Sequence, residues 1–202
     1  MTQTDWWWIR HAPVIDPDKT LYGQIDLPAD TQSASVARAL DRLAGHLPVD
    51  ADWIITPLQR TRQTAAALAE RLGLTAAPRV EPALIEQHFG AWQGRPKADV
   101  YGAMGPDHPF WQAPATTAPP GGESFADLVG RVRPAIMSRN QDGRPLIVIG
   151  HAGTIRAALA IALDLSPDAA LRFHLDPLGL TRIEAFPPSG WRVTMVNRTE
   201  IG

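Results

Sequence analysis

Two short histidine motifs carry the chemistry most open to interpretation in this chain: Arg10-His11-Ala12 and Gly150-His151-Ala152-Gly153-Thr154. A neutral imidazole is a competent nucleophile toward phosphorus, and an adjacent guanidinium can hold two phosphate oxygens at once. Neither motif is decisive alone, because an isolated histidine is more often a satisfied structural residue than a reactive one. Each motif directly follows an apolar run, Trp6-Trp7-Trp8-Ile9 before the first and Leu146-Ile147-Val148-Ile149 before the second. Such runs read as buried strands. Two strands delivering a histidine at their C-terminal tips match a ligand site at the carboxyl edge of a parallel sheet.

Further residues join the pair. Thr56-Pro57-Leu58-Gln59-Arg60 follows a third apolar run, Trp53-Ile54-Ile55, and opens a helical pattern. Arg60 is thereby expected at a helix N-terminus, where backbone N–H groups also favour an anion. Its neighbour Arg62 reads as a solvated helix charge. Leu84 to Gly94 places Glu86 in a loop with Phe89 and Trp92, apolar company that favours the protonated carboxyl a general acid needs. His88 lies two residues from Glu86, but two ligands without a third fall short of a metal site. His46, His108 and His174 read as structural or exposed.

The elements that must position these residues follow from periodicity. Strands are expected at Trp6–Ile9, Trp53–Ile55 and Leu146–Ile149, with an edge strand at Arg79–Pro82 and a terminal hairpin of Leu180–Phe186 and Trp191–Val196 around Pro187–Gly190. Helical spacing marks Asp30–Leu47, Gln59–Leu74, Glu123–Arg139, Thr154–Leu163 and a short Asp168–Phe173. Pro13–Pro28 reads as a long loop. The order predicts a three-layer α/β/α sandwich on a mostly parallel sheet, one domain over residues 1–202 with a lid-like Pro/Gly-rich excursion at about 90–122.

Bulk properties exclude several classes. The 202 residues carry a formal net charge of −2 and show no basic stripe, so nothing argues for a nucleic-acid partner. Cysteine is absent, which excludes disulfides, thiolate catalysis and cysteine-based zinc sites. No apolar stretch approaches the roughly 20 residues of a membrane span, and no leader pattern stands at the N-terminus. A soluble cytoplasmic protein without a membrane partner is the expectation, with homodimerisation through the C-terminal hairpin as the oligomeric alternative.

Taken in order, Arg10-His11, the Thr-Pro-Leu-Gln-Arg run to Arg60, the Leu-x-Glu-x-x-Phe-Gly-x-Trp-x-Gly run around Glu86, Gly121-Gly122-Glu123-Ser124 and Gly150-His151-Ala152-Gly153 resemble the histidine phosphatase superfamily, branch 1, the phosphoglycerate mutase-like group. The resemblance spans Trp6 to about Asn197. It implies a phosphoglycerate mutase-like fold and assigns roles residue by residue: His11 the nucleophile that becomes phosphohistidine, Arg10 and Arg60 the phosphate clamp, His151 a second phosphoryl contact, Glu86 the proton donor. It also implies a small phosphorylated metabolite as substrate, with no cofactor and no metal.

Departures narrow the reading. Arg-His-Gly becomes Arg-His-Ala, followed by Pro13-Val14. With Tyr22-Gly23-Gln24-Ile25-Asp26, that run is similar to the α-ribazole phosphatase-like subgroup. The excursion is shorter than a mutase cap and lacks an Arg-Arg pair, which favours hydrolysis over mutase activity. The usual Asn-x-Thr-x-His-Leu ending reads Asn197 to Gly202 without its histidine. Substrate selection is expected from Tyr22, Gly23 and Trp92, with Phe110 and Trp111 completing an apolar wall; the equal alternative is that these aromatics only pack the loops. α-Ribazole 5'-phosphate is one substrate this pattern suggests. A non-catalytic phosphate-binding module on the same fold is the alternative from another class.

Overall fold

The computed structural model describes residues 3–16, 18–75, 77–103, 114–139, 143–188 and 190–199. Six strands form one sheet in the order β3-β2-β4-β1-β5-β6. They are β1 (Thr4–Arg10), β2 (Asp52–Ile55), β3 (Arg79–Val80), β4 (Leu146–Gly150), β5 (Leu180–Phe186) and β6 (Gly190–Arg198). β1, β2, β3 and β4 pair in parallel, whereas β5 runs antiparallel to both β1 and β6. The expected mostly parallel sheet is therefore present, and only β5 runs against the rest.

Alternation along the two central strands divides the core. Trp6, Trp8, Leu146 and Val148 face one layer, built from α4 (Phe125–Met137) and α5 (Ala152–Leu163). Ile9, Ile147 and Ile149 face the other, built from α1 (Ala34–Ala44) and α2 (Gln59–Arg71). Strands buried on both faces read as continuous apolar runs, which is why β1 and β4 stand out in the sequence. The Trp6 and Trp8 rings stack at 5.6 Å, a pairing that the period-two geometry of a strand allows. Covering both faces with helices yields the three-layer sandwich.

Observed elements shift by a few residues from the sequence expectations, mostly at helix ends. The larger difference lies in the excursion. A seven-residue helix, α3 (Lys97–Ala103), follows Pro96 there and was not expected. It is too short to show periodicity and contains Gly102, a poor helix former. Phe110, Trp111 and His108 lie outside the described residues. The remaining helix, α6 (Pro167–Ala170), is a single turn capped by Ser166.

Candidate active site

Register brings the two histidines together. β1 and β4 are adjacent and parallel, with Arg10 opposite Gly150, and His11 N donates to Gly150 O at 3.0 Å. The next residue on each strand is therefore a histidine at the same sheet edge, and the two imidazole centroids lie 5.3 Å apart. Both side chains are buried, His11 at 1% and His151 at 0% exposure.

The hydrogen bonding of His11 fixes its tautomer. Nδ1 lies 2.7 Å from the carbonyl oxygen of Ala12. A carbonyl only accepts, so Nδ1 carries the proton and Nε2 presents its lone pair. Burial, and then the positive charges of Arg60 and Arg10, hold the imidazole pKa well below its ordinary value near 6.5; the Ala12 bond opposes them only in part. A neutral ring with a free Nε2 is the form a nucleophile requires. His151 is also held neutral, by burial first and then by Arg60, His11, Arg10 and Arg131. Its Nε2 is 3.0 Å from Thr56 Oγ1, which explains the threonine opening the Thr-Pro-Leu-Gln-Arg run.

Arg60, on the first turn of α2, is fully buried and donates Nη1 to Ile25 O (2.8 Å) and Nη2 to Gly23 O (2.6 Å). The Tyr-Gly-x-x-Asp segment thus has a legible purpose. Gly23 at φ +47° turns its carbonyl onto Arg60, and a Cβ there would lie 2.8 Å from Phe89 Cδ2. Tyr22 lays its ring 5.0 Å from the Arg60 guanidinium carbon and 6.3 Å, edge-on, from the His11 ring. Asp26 accepts from Gln59 N at 2.6 Å and caps α2. Thr64 Oγ1 accepts from Ala12 N (2.9 Å) and donates to Arg60 O (2.7 Å), tying the His11 loop to the same helix.

Arg10 Nε, Arg60 Nε and His151 Nδ1 are buried without a partner among the described residues, as are Trp6 Nε1, Trp7 Nε1, Arg139 Nε and Arg182 Nε elsewhere. Buried polar atoms are nearly always satisfied, and an unsatisfied donor costs about 1–3 kcal/mol. Two guanidinium groups with unused N–H bonds and a neutral second imidazole beside His11 suit an anion, such as an oxyanion in transfer.

Glu86 approaches from the loop after the Pro82–Leu84 turn. Its carboxylate accepts from Gln87 N (2.9 Å) and Gly153 N (3.4 Å), the latter in the first turn of α5. The loop is clipped from behind by Arg131, which donates to Ala83 O and Ile85 O and pairs with Glu123 at 2.7 Å. Gly121-Gly122-Glu123-Ser124 is therefore structural. Glu123 also accepts from His88 N, and Ser124 with Asp127 forms the capping box of α4. His88 Nδ1 accepts from Gly90 N instead of pairing with Glu86, and among the described residues no group of three or more His, Cys, Asp or Glu could hold a metal ion.

A cavity of about 180 Å³ lies against this cluster, lined by Arg10, Tyr22, Gly23, Glu86, Lys97 and Arg156 with their neighbours, while His11, Arg60 and His151 stand behind that lining. Tyr22 and Gly23 thus stand where the sequence placed them. Trp92 does not line it; the indole packs with Leu21, Phe89 and Val100 in a small separate cluster. Arg156, Lys97 and Tyr101 were not anticipated. Arg156 had a signal, because it is the one charged residue in α5 and shares a face with Ala152 and Gly153. His174, expected as an ordinary exposed residue, is exposed and also lines this cavity.

A sequence model of the histidine phosphatase superfamily, branch 1, matches residues 6–199. The chain belongs to that superfamily. It is 33% identical over 153 residues to the bifunctional protein Rv2228c of Mycobacterium tuberculosis, a match covering 72% of this chain and 40% of that protein. The match thus spans only two fifths of the length of that curated relative. It is 32% identical over 159 residues to glucosyl-3-phosphoglycerate phosphatase of the same organism, covering 72% of this chain and 68% of that protein. The native structure of this mycobacterial phosphatase superposes with a TM-score of 0.79 at 26% identity, covering 97% of this chain and 99% of the other. The α-ribazole phosphatase of Shigella flexneri gives a TM-score of 0.78 at 20% identity over 98% of each chain, a likeness of fold alone. No described helix is long and apolar enough to cross a membrane.

Proposed function

We propose that the chain is a phosphomonoester hydrolase that passes the phosphoryl group through Nε2 of His11. The observation that carries this reading is the neutral His11 with its lone pair fixed on Nε2, surrounded by Arg10, Arg60 and His151, each with a buried nitrogen unsatisfied within the protein. In the first step Nε2 attacks phosphorus, the bond from phosphorus to the ester oxygen breaks, and Glu86 as the acid gives its proton to the leaving alkoxide. In the second step Glu86 takes a proton from water as that water attacks phosphorus. The P–N bond breaks, inorganic phosphate leaves, and neutral His11 returns. Arg10, Arg60 and His151 hold the equatorial oxygens, where charge accumulates in the transition state. Guanidinium groups stay charged throughout, so this scheme needs no metal ion.

The leaving alcohol faces a second cavity of about 620 Å³ that shares Arg10, Tyr22, Lys97 and Tyr101 with the first. Its other walls mix Pro13, Val14, Pro96, Ala98 and Pro177 with the charged Asp16, Asp18 and Lys19, a surface suited to a metabolite with both apolar and polar parts. α-Ribazole 5'-phosphate and glucosyl-3-phosphoglycerate are two substrates to screen, the first for its ring system and the second because a relative acts on it. The test is hydrolysis of 4-nitrophenyl phosphate by wild type and His11→Ala, with and without chelator. Wild-type turnover insensitive to chelator and lost in His11→Ala supports the reading; full activity in the variant overturns it. Interconversion of phosphoglycerates in place of hydrolysis would move the assignment to a mutase.

A further inference from the structure

Segment 173–179, between α6 and β5, is a strap whose carbonyls orient two arginines of the cavity. Arg156 Nε donates to Phe173 O at 2.9 Å, and Arg10 Nη1 donates to Leu175 O at 2.6 Å. The strap also brackets the Arg10 backbone: Leu178 N donates to Arg10 O at 3.0 Å, and Arg10 N to Gly179 O at 3.3 Å. Where the strap sits therefore decides where both guanidinium groups point.

One side chain from the far edge of the sheet holds that strap. Asn197 of β6 accepts from Asp176 N through Oδ1 (2.7 Å) and donates through Nδ2 to Asp176 Oδ2 (2.8 Å). A Cβ on Gly179 would collide with the same Oδ1, so the carboxamide rests directly on the strap backbone. The local β-sheet is irregular at this point. Leu180 pairs with Arg198 but Arg182 pairs with Met195, so Thr181 faces two residues, and Asn197 takes φ +51°. Asn197 N donates to Thr181 Oγ1 at 3.2 Å, which secures the bulge. Bulges re-aim side chains, and Asn is among the few non-glycine residues that accept this backbone region.

We propose that Asn197 is a positioning residue of the phosphoryl site, its carboxamide setting the Arg10 and Arg156 guanidinium groups through the 173–179 strap. The inference rests on the hydrolase reading above. The contact needs one acceptor and one donor on a single group, which an amide supplies and a carboxylate does not. Asn197→Asp preserves shape but sets an oxygen against the Asp176 carboxylate, pushing the strap and the arginines away.

The experiment measures orthovanadate inhibition, kcat and KM with 4-nitrophenyl phosphate, and melting temperature for wild type, Asn197→Asp and Asp176→Ala. Asn197→Asp is expected to weaken orthovanadate inhibition and lower kcat by roughly tenfold each, since displacement of about 1 Å costs up to 100-fold. Asp176→Ala, which removes a half-exposed carboxylate with its Asn197 Nδ2 and His174 Nε2 contacts but keeps the bond from Asp176 N to Asn197 Oδ1, is expected to show about threefold effects with an unchanged melting temperature, and serves if Asn197→Asp does not fold. In an Arg10→Ala background the Asn197→Asp penalty on orthovanadate is expected to shrink to about twofold, because the group being positioned is gone. Wild-type inhibition in both strap variants, or penalties that multiply independently in the double variant, overturns the role of Asn197. A wild-type chain that neither hydrolyses the aryl phosphate nor binds orthovanadate overturns the hydrolase reading itself.

Discussion

Replacing Gly153 with alanine separates Glu86, the proposed proton donor, from the rest of the site. Gly153 N donates to Glu86 Oε2, and a methyl at Gly153 would press into Glu86 Oε1 while meeting Leu128 Cδ2 at 2.9 Å. Leu128 is fully buried in α4, so it has little room to retreat. The carboxylate must give way, by about 1 Å, and a misplacement of that size costs on the order of 100-fold in rate. The loss should depend on the leaving group. Alkyl phosphates depart as strongly basic alkoxides and need the proton, so their kcat/KM is expected to fall about 100-fold. 4-Nitrophenyl phosphate departs without help, and its kcat/KM, which reports only the steps up to departure of the leaving group, is expected to fall no more than about threefold. Overpacking costs about 1–3 kcal/mol of stability, offset by up to about 1 kcal/mol from better helix propensity, so the variant should fold. A series of phosphate esters graded by leaving-group pKa, assayed beside a thermal melt, checks this. An equal fall in kcat/KM for both ester classes, or an unchanged kcat/KM for alkyl esters, would refute the placement of Glu86 as acid.

Other consequences follow from the same geometry. Both histidines are neutral in the fold, whereas in the unfolded chain they take up protons near pH 6.5. Below that pH the unfolded state binds more protons, so stability is fully present above about 6.5 and falls as pH drops toward the lowered native values. The slope reaches roughly tenfold in the folding constant per pH unit for each group, measurable by denaturant melts at several pH values. For the same reason the acid limb of kcat/KM arising from His11 should lie below pH 6.5. Arg60→Lys leaves the carbonyls of Gly23 and Ile25 without their shared donor, and a lysine offers no second prong for phosphate. It should lower kcat/KM by 100-fold or more, on the order of 3 kcal/mol in transition-state binding, and loosen competitive inhibition by phosphate.

Much of the site was legible because a parallel sheet converts sequence into position. An apolar run buried on both faces announces a strand, and the residue after it must stand at the carboxyl edge. That logic places His11, His151 and Arg60 without structural information, and the structure brings all three together. Glu86 was legible only through its surrounding pattern, since nothing in a loop's periodicity says which way a carboxylate turns. Lys97 and Tyr101 were missed because α3 is a single short helix with no apolar repeat. For Trp92 the loop-packing alternative holds, because bulk alone does not distinguish a cavity wall from a loop core and its neighbour Leu21 is distant in sequence. The link from Asn197 to Arg10 depends on a β-bulge and a positive φ, which no spacing rule exposes.

The phosphoryl-enzyme itself is the most direct object to measure. Rapid acid-free quenching of wild-type enzyme during turnover of a labelled phosphomonoester, followed by peptide mapping, should find acid-labile phosphate on His11 and on no other residue. The label should be absent from His11→Ala and should accumulate in Glu86→Gln when the ester has a good leaving group, because water is no longer activated for the second step. Steady turnover with no covalent phosphate at any time point, or label on a residue other than His11, would contradict transfer through this histidine.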